Sequence, residues 1–322
     1  MRKALVVGIN TYPQCPLTGC INDANAVAQI LERNGDGSAN FAVKKVLDVN
    51  SKGILRGHIE DCFAGDADVA LFYFSGHGYI DAVGGNIVTP DYCEHDMGVS
   101  MQDILTIVNK SKCKNKVVVL DCCHSGFLGR ISTEGQTISI ISEGVTLLTA
   151  SKSDEPALEI AGHGVFTSLF LSALSGGAAD ITGYVTPGGI YAYIDKALGP
   201  WEQRPVFKTN VTRFSPLRKV IPQVSEVIIR RIINYFDKSD TEVRLNPSFE
   251  PTNSPIVDHE VIEPYADKDN VKLFSDLQKL EGVGIIVPCE EEHMYFAAMK
   301  SKSCKLTPVG QHYWRLVKEN LI

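Results

Sequence analysis

The stretch Val69-Ala70-Leu71-Phe72-Tyr73-Phe74-Ser75-Gly76-His77-Gly78 is an apolar run that ends abruptly in small and reactive residues. A second run, Val117-Val118-Val119-Leu120-Asp121-Cys122-Cys123-His124-Ser125-Gly126, has the same form. Continuous apolar runs of this kind indicate strands that are buried in a parallel sheet. Because ligands of open α/β sheets bind beyond the carboxyl ends of the strands, the two runs would bring a histidine and a cysteine to one edge.

Strand and helix patterns alternate along the chain around these two runs. Strand patterns fall at 4–9, 43–47, 69–74, 117–120 and 145–149, and helical patterns at 21–33, 52–62, 101–109, 166–175 and 189–198. This alternation predicts an α/β fold with a mainly parallel central sheet that is flanked by helices. The separation of 46 residues between His77 and Cys123 leaves room for a strand–helix–strand crossover.

Several motifs resemble the caspase-like cysteine peptidases (peptidase family C14), and within them the metacaspase-type branch. That branch ends one strand with Ser-Gly-His-Gly and the next with Asp-Xaa-Cys-His-Ser-Gly, which match 75–78 and 121–126. Further matches lie at 4–10, 19–24 and 149–151. The resemblance covers about residues 1–215, and it implies the caspase-like sandwich and the activity of a cysteine endopeptidase.

The resemblance identifies Cys123 as the nucleophile, since the family places it immediately before His-Ser-Gly, and His77 as its base. A cysteine needs such a base to raise its thiolate fraction. The neighbouring Cys122 and His124 are the alternative nucleophile and base, although adjacent residues at a strand end point in opposite directions. The backbone N–H groups of Gly78 and Cys123 would bind the oxyanion. No third orienting residue is evident.

In metacaspase-type relatives an acidic pocket binds the arginine or lysine before the cut bond. The matching positions are Cys20, Asp23, Ser75 and Asp121, whose carboxylates would form charge-assisted hydrogen bonds with a guanidinium. Aspartate-specific caspases need arginines instead, and the segments 19–23, 72–78 and 119–126 contain none. Two alternatives stay open: Asp23 caps a helix, and Asp121 caps a backbone N–H group.

Residues 127–143 show no clear period, and we expect a mobile loop beside the cysteine. Relatives often carry an activation cleavage site in this region, and Arg130 is the candidate for self-cleavage, with a solvated loop arginine as the alternative. Three acids, Asp154, Glu155 and Glu159, follow the motif at 149–151. Two interpretations are open for these acids: they bind further basic residues of a peptide substrate, or they are charges on the protein surface.

Composition restricts the class of protein. The chain has 322 residues, 44% of them hydrophobic and 21% charged, with a net charge of −7, which disfavours binding to nucleic acid or anionic membranes. Nine irregularly spaced cysteines without a Cys-Xaa-Xaa-Cys pair favour reduced thiols. No signal peptide or membrane span is evident, so we expect a soluble, cytoplasmic protein.

The regular alternation of strand and helix patterns ends near residue 216. We predict a peptidase domain over 1–219, a helix and irregular connector over 220–267, and a winged-helix-like domain over 268–322. In the last range helical patterns at 271–280 and from Thr307-Pro308 onward flank strand patterns at 284–288 and 295–299, and a single helix is predicted at 225–236.

The charge of this C-terminal part favours a regulatory role with a protein partner. Residues 220–322 carry 12 Lys and Arg against 16 Asp and Glu, a net charge of −4, and Glu290-Glu291-Glu292 would repel phosphate. A domain that only packs on the peptidase is the alternative, and a transcription regulator is disfavoured.

Some metacaspase-type relatives require calcium for activity, so calcium is a possible activator of this chain. The acids after the histidine, Asp81, Asp91, Glu94 and Asp96, lack the dense spacing of calcium-dependent relatives, so no cofactor and no metal site are predicted. Two rival functions keep the fold: thiol-dependent ligation and a catalytically silent signalling scaffold. Pairing of two copies through a sixth strand near 204–208, which Pro205 would place at a sheet edge, also stays open.

Overall fold

The computed structural model describes residues 1–81, 84–122, 125, 128, 131–133, 136–138, 140–150, 159–160, 163–199, 205–252, 258–263 and 265–322. The chain divides into two compact units, Met1–Ile221 and Pro222–Ile322. The peptidase-like motifs all fall in the range of the first unit. Within the described ranges, every helix is too short or too polar to cross a lipid bilayer.

The first unit contains most of the secondary structure. Its strands are β1 (Arg2–Gly8), β2 (Ala42–Leu47), β3 (Val69–Ser75), β4 (Gly78–Ile80), β5 (Gly85–Cys93), β6 (Asp96–Ser100), β7 (Asn115–Asp121), β8 (Ile131–Thr133), β9 (Gln136–Ile138), β10 (Val145–Thr149), β11 (Glu159–Ile160), β12 (His163–Gly164), β13 (Tyr184–Val185), β14 (Val206–Asn210) and β15 (Arg218–Lys219). Its helices are α1 (Cys20–Glu32), α2 (Lys52–Phe63), α3 (Met101–Lys110), α4 (Val165–Ser172) and α5 (Pro187–Leu198), with a π-helical turn at Ala173–Gly177.

A six-stranded sheet forms the centre of this unit, in the order β14-β10-β7-β3-β1-β2. Its neighbouring strands are parallel except for β10 and β14, which are antiparallel. The predicted mainly parallel α/β sheet is therefore confirmed. The predicted sixth strand also lies at an edge of the sheet, where β14 follows Pro205.

The alternation of side chains along the central strands builds a separate apolar core on each face of the sheet. One core contains Leu5, Val7, Phe72, Phe74, Val118 and Leu120 and is covered by α2 and α3. The other contains Ala4, Val6, Leu71, Tyr73, Val117 and Val119 and is covered by α1, α4 and α5. Both faces of each strand are thus buried, which explains why the strands are apolar without a break.

The part of the first unit that the sequence did not predict lies directly after His77. Strands β4, β5 and β6 form a small antiparallel sheet that includes the ladder Gly78↔Ile87. These strands are mixed in polarity, so they lack the continuous apolar signal of the central sheet. A second difference falls inside the expected loop over 127–143, where β8 and β9 pair as an antiparallel ladder.

The second unit combines short helices with a three-stranded sheet. Its elements are α6 (Glu226–Arg230), α7 (Ile232–Tyr235), β16 (Glu242–Arg244), a 3₁₀ turn (Pro247–Phe249), α8 (Lys268–Gly282), β17 (Ile286–Pro288), α9 (Met294–Met299), β18 (Ser303–Leu306) and α10 (Pro308–Lys318). The sheet is antiparallel with the order β16-β18-β17. Strand β16 comes from the range that the sequence analysis treated as a connector.

Two sequence predictions for this unit are wrong in detail. The strand predicted at 295–299 is helix α9, whose buried residues Met294, Ala297 and Ala298 have helical spacing, and β18 pairs with β17 instead. The single helix predicted at 225–236 is split into α6 and α7 at Arg231. The helices at α8 and α10 are confirmed, with the Thr307 hydroxyl capping α10. The winged-helix resemblance stays a prediction.

Candidate active site

The carboxyl ends of β1, β3 and β7 meet at one edge of the central sheet. Gly8 pairs with Ser75, and Ser75 pairs with Asp121, so the three strand ends stand in one row. Helix α1 begins at Cys20 and carries Asp23 in its first turn. The Ser75 hydroxyl donates a hydrogen bond to Asp23 Oδ2 at 3.3 Å. The four residues predicted for the basic-residue pocket therefore lie on neighbouring elements at this edge.

The two carboxylates of this group are buried. Asp23 is 2% exposed and Asp121 is 7% exposed, while Ser75 and Cys20 are buried as well. Asp23 Oδ2 also accepts the backbone N–H of Gly164 at 3.4 Å, and Asp121 Oδ2 accepts the hydroxyl of Thr167 at 2.5 Å. Residues from β12 and α4 thus complete a cluster that the sequence analysis had assembled only from the strand ends and α1.

Gly164 lies where the two carboxylates converge. A Cβ atom at this position would lie 2.8 Å from Asp121 Oδ2 and 3.6 Å from Asp23 Oδ2. The first distance is shorter than real Cβ contacts, so any larger residue would push Asp121 aside. A glycine is needed here because of this close approach.

A chain of two hydroxyls supports Asp121 from the interior of the sheet. Because the Thr167 hydroxyl donates to Asp121, it accepts from the Tyr73 hydroxyl, 2.5 Å away. Burial raises the pKa of Tyr73 well above its usual value, and the charges of Asp121 and Asp23 raise it further. Tyr73 therefore stays protonated, and it donates through Thr167 toward the carboxylate.

Three donors to these acids lie on other elements of the site. Helix α1 starts after Gly19, which has no side-chain cap, and the carboxylate of Asp23 in its first turn accepts from the Ser75 hydroxyl and the Gly164 N–H. Asp121 accepts a side-chain hydroxyl from Thr167. Both acids thus contribute to one polar cluster beyond the strand ends.

His77 follows β3 by two residues and is held through its ring and its backbone. Its Nε2 atom lies 2.7 Å from the backbone oxygen of Cys15. A carbonyl oxygen can only accept, so Nε2 carries the proton and Nδ1 of the neutral ring is left as the base. This carbonyl orients the imidazole, a contact that the sequence did not reveal.

Gly78 begins strand β4 and pairs with Ile87. Because Val88 N–H donates to the carbonyl of His77 at 2.9 Å, the ladder places Gly78 at a non-hydrogen-bonded position. The N–H of Gly78 therefore points away from β5. This orientation is compatible with the predicted role of Gly78 as an oxyanion donor.

Several predicted residues lie outside the described residues. They are Cys123, the alternative base His124, the self-cleavage candidate Arg130, and the loop acids Asp154 and Glu155; of Glu159 only the backbone is described. The rival nucleophile Cys122 is described and is 2% exposed, as part of the apolar core beneath α2 and α3. Cys122 is thus a small core residue, as expected.

Three residues of the cluster were not singled out by the sequence: Tyr73, Gly164 and Thr167. Tyr73 lies in a strand pattern, where an aromatic residue is ordinarily part of the core. Thr167 gave no signal of its own, since the helical segment at 166–175 also contains Ser168, Ser172 and Ser175. Only the folded arrangement shows that they converge on the predicted site.

The acids after His77 make hydrogen bonds and ion pairs with neighbouring residues. Asp91 accepts the backbone N–H of Lys52 and the hydroxyl of Thr89, Asp96 pairs with Lys52, and Asp81 accepts from Gly84 and Asn86. Across the part of the chain that is described, no three acidic, histidine or cysteine side chains cluster as metal ligands. Calcium takes six to eight oxygen ligands, and its role as an activator stays a prediction for the peptide assay with and without calcium.

Comparison with known proteins gives a family for the first unit. The family model described as Caspase domain, of peptidase family C14, matches residues 1–208. Metacaspase-9 of Arabidopsis thaliana is 30% identical over 178 residues, which cover 49% of this chain and 51% of that protein. The chain thus spans about half the length of this curated relative.

Two solved structures are also similar. A protein from Geobacter sulfurreducens has 17% identity and a TM-score of 0.49, and the match covers 68% of this chain and 99% of that one. Caspase-1 from Spodoptera frugiperda has 15% identity and a TM-score of 0.49, and the match covers 68% of this chain and 90% of that one.

Proposed function

The chain belongs to the caspase-domain family of cysteine peptidases, and we propose that it cleaves peptide bonds after arginine, and also after lysine, with Cys123 as nucleophile and His77 as base. One observation carries the specificity: two buried carboxylates, Asp23 and Asp121, converge at the strand edge from which His77 follows. Two carboxylates that converge at one place favour a cationic ligand because each can accept charge-assisted hydrogen bonds from a guanidinium or an ammonium group.

The register of the sheet supports the pairing of His77 with Cys123. Ser75 and Asp121 are direct partners on adjacent parallel strands, and each precedes its proposed catalytic residue by two positions in the sequence. Adjacent strands are about 4.8 Å apart, a distance that suits a nucleophile and its base.

The proposed reaction proceeds in two steps. The Cys123 thiol gives its proton to Nδ1 of His77, and the thiolate attacks the carbonyl carbon of the basic residue. The C–N bond breaks as the imidazolium protonates the leaving amine, and a thioester remains. His77 then takes a proton from water, and the resulting hydroxide attacks the carbonyl carbon of the thioester. The C–S bond breaks, the peptide acid leaves, and the imidazolium returns its proton to the sulfur of Cys123. The N–H groups of Gly78 and Cys123 stabilise the oxyanion in both steps.

Regulation is proposed at two places. The chain would cleave itself after Arg130, because arginine is a residue that the proposed pocket selects. The unit Pro222–Ile322 would bind a regulatory protein partner, because its net charge of −4 over residues 220–322 speaks against nucleic acid.

Three fluorogenic peptides that differ only in Arg, Lys or Asp before the reporter test the activity. We expect cleavage after Arg and Lys in the parent and none in Cys123→Ala, with and without calcium. Cleavage after Asp would contradict the pocket assignment. A folded parent that cleaves none of the peptides would favour the silent scaffold, and transfer of the acyl group to an added amine would favour ligation.

A further inference from the structure

We infer that Tyr12 is a positioning residue for His77: its hydroxyl holds the backbone of the histidine, and its ring holds the imidazole. The inference rests on the proposed function, since it concerns the base of that reaction. Tyr12 lies in the loop between β1 and α1 and is only 4% exposed.

The Tyr12 hydroxyl is inserted into the ladder between β4 and β5 at the position of the histidine. His77 N–H donates to the hydroxyl at 3.0 Å, and the hydroxyl donates to the carbonyl of Val88 at 3.3 Å. Val88 N–H in turn donates to the carbonyl of His77 at 2.9 Å. The three hydrogen bonds form a closed ring.

An ordinary antiparallel ladder would need no hydroxyl here. With Gly78↔Ile87 as a non-hydrogen-bonded pair, the next pair, His77 and Val88, would exchange two direct N–H···O bonds. One of these bonds is direct, and the other is replaced by the bridge through Tyr12. The hydroxyl therefore holds the two strands apart at His77 and sets the direction of the peptide units on both sides of it.

The ring of Tyr12 makes a second, separate contact. It packs edge-on against the imidazole, with the ring centroids 4.5 Å apart and an angle of 61° between the planes. The Cys15 carbonyl, from the same loop, accepts from Nε2 of that imidazole at 2.7 Å. The loop thus fixes the tilt of the imidazole with Tyr12 and its tautomer with Cys15.

Two features keep the hydroxyl in this bridge. Burial raises the pKa of Tyr12 above its usual value, so the hydroxyl remains protonated and can donate and accept at the same time. A Cβ atom at Gly76 would lie 2.5 Å from the hydroxyl oxygen, so the glycine before the histidine makes room for it. The space that Gly76 leaves for the Tyr12 hydroxyl is therefore directly beside His77, the proposed base.

Two variants separate the two contacts. Tyr12→Phe keeps the ring and removes the bridge, so we expect kcat for the Arg peptide to fall tenfold or more. KM and the rate at which iodoacetamide alkylates Cys123, followed by mass spectrometry, should stay within twofold. Tyr12→Leu removes both contacts, so kcat and the alkylation rate should both fall. Tyr193→Phe, which removes a hydroxyl 2.8 Å from Ser172, is the matched control and should leave all three values unchanged.

The outcomes are distinguishable from failure of the proposed function. A Tyr12→Phe variant that keeps its kcat within twofold would overturn the inference, and so would a loss that only follows the fraction of unfolded protein in a melting curve. If the parent cleaves no peptide, alkylation decides: Tyr12→Leu must slow it tenfold relative to the parent, and equal rates would overturn the inference.

Discussion

The acids of the candidate pocket in the first unit and those of the acidic run in the second unit have different partners and exposure. In the first unit Asp23 and Asp121 are 2% and 7% exposed and accept hydrogen bonds from the hydroxyls of Ser75 and Thr167. In the second unit Glu290 and Glu291 form ion pairs with Lys302 and Lys300, and the Glu290 side chain is 71% exposed.

The comparison shows that the density of charge in a sequence is a poor guide to a site. Glu290-Glu291-Glu292 is the most conspicuous acidic run in the second unit, yet lysines of the same unit meet two of its charges. Asp23 and Asp121 are far apart in the sequence, and the sheet register and one helix start bring them together. The arrangement of acids in the fold therefore gives information about a cationic ligand that their density in the sequence does not give.

The largest effect is expected from Asp23→Asn. The variant keeps the size of the side chain and removes one buried charge, so kcat/KM for an Arg peptide should fall about 100-fold, the value of one charge-assisted hydrogen bond. The measurement is steady-state cleavage, with a melting curve to show that the variant is folded. A kcat/KM within threefold of the parent would place the arginine elsewhere.

A smaller loss is expected from Gly164→Ala. The added methyl group would lie 2.8 Å from Asp121 Oδ2 and displace that carboxylate, so KM for the Arg peptide should rise about tenfold, a modest steric cost. Gly57→Ala in α2 is the matched control, because a Cβ there meets nothing within 4 Å and should stabilise the helix slightly. An unchanged KM in Gly164→Ala would separate this glycine from the pocket.

Thr167→Val tests the hydroxyl chain behind Asp121. The variant removes the donor of Asp121 and the acceptor of Tyr73, so the free energy of unfolding should fall by about 1–3 kcal/mol and kcat/KM for Arg by about tenfold. Thr146→Val is the control: this threonine is also buried but pairs with Thr209 at the start of β10, remote from the strand ends. Equal loss of activity in both variants would refute a specific role.

The smallest effect is expected from Glu291→Gln in the second unit. It removes the ion pair with Lys300, and partly exposed pairs contribute little, so the melting temperature should fall by about 2 °C or less. Cleavage of the Arg peptide should not change. A large loss of cleavage would show that the acidic run belongs to the site after all, and it would remove the contrast between the two units.

The inner strands of the central sheet could be predicted because β1, β3, β7 and β10 are buried on both faces. Residues such as Leu5, Phe72 and Val119 fill two cores, and that double burial produces unbroken apolar runs in the sequence. Residues 295–299 show the opposite case: Tyr295 and Phe296 favour a strand by propensity, but packing of Ala297 and Ala298 favours helix α9. Tertiary packing outweighs the local preference there.

The candidate site likewise contains residues that could be predicted from the sequence and residues that could not. Ser75, His77 and Asp121 are assigned through the family resemblance, because they stand in motifs that end or directly follow recognisable strands. Thr167 and Gly164 could not, since their roles depend on distances across the fold of 2.5 Å and 2.8 Å to Asp121. Spacing alone also gives no sign that the Tyr12 hydroxyl replaces a ladder bond of His77.

The most direct test of the acidic pocket compares an arginine peptide with its citrulline counterpart, which has the same shape and no charge. We predict that the parent prefers arginine by about 100-fold in kcat/KM, one charge-assisted pairing, and that Asp121→Asn loses most of this preference. If the ratio of the two kcat/KM values is the same in the parent and in Asp121→Asn, the buried carboxylates do not select the substrate and the central claim is wrong.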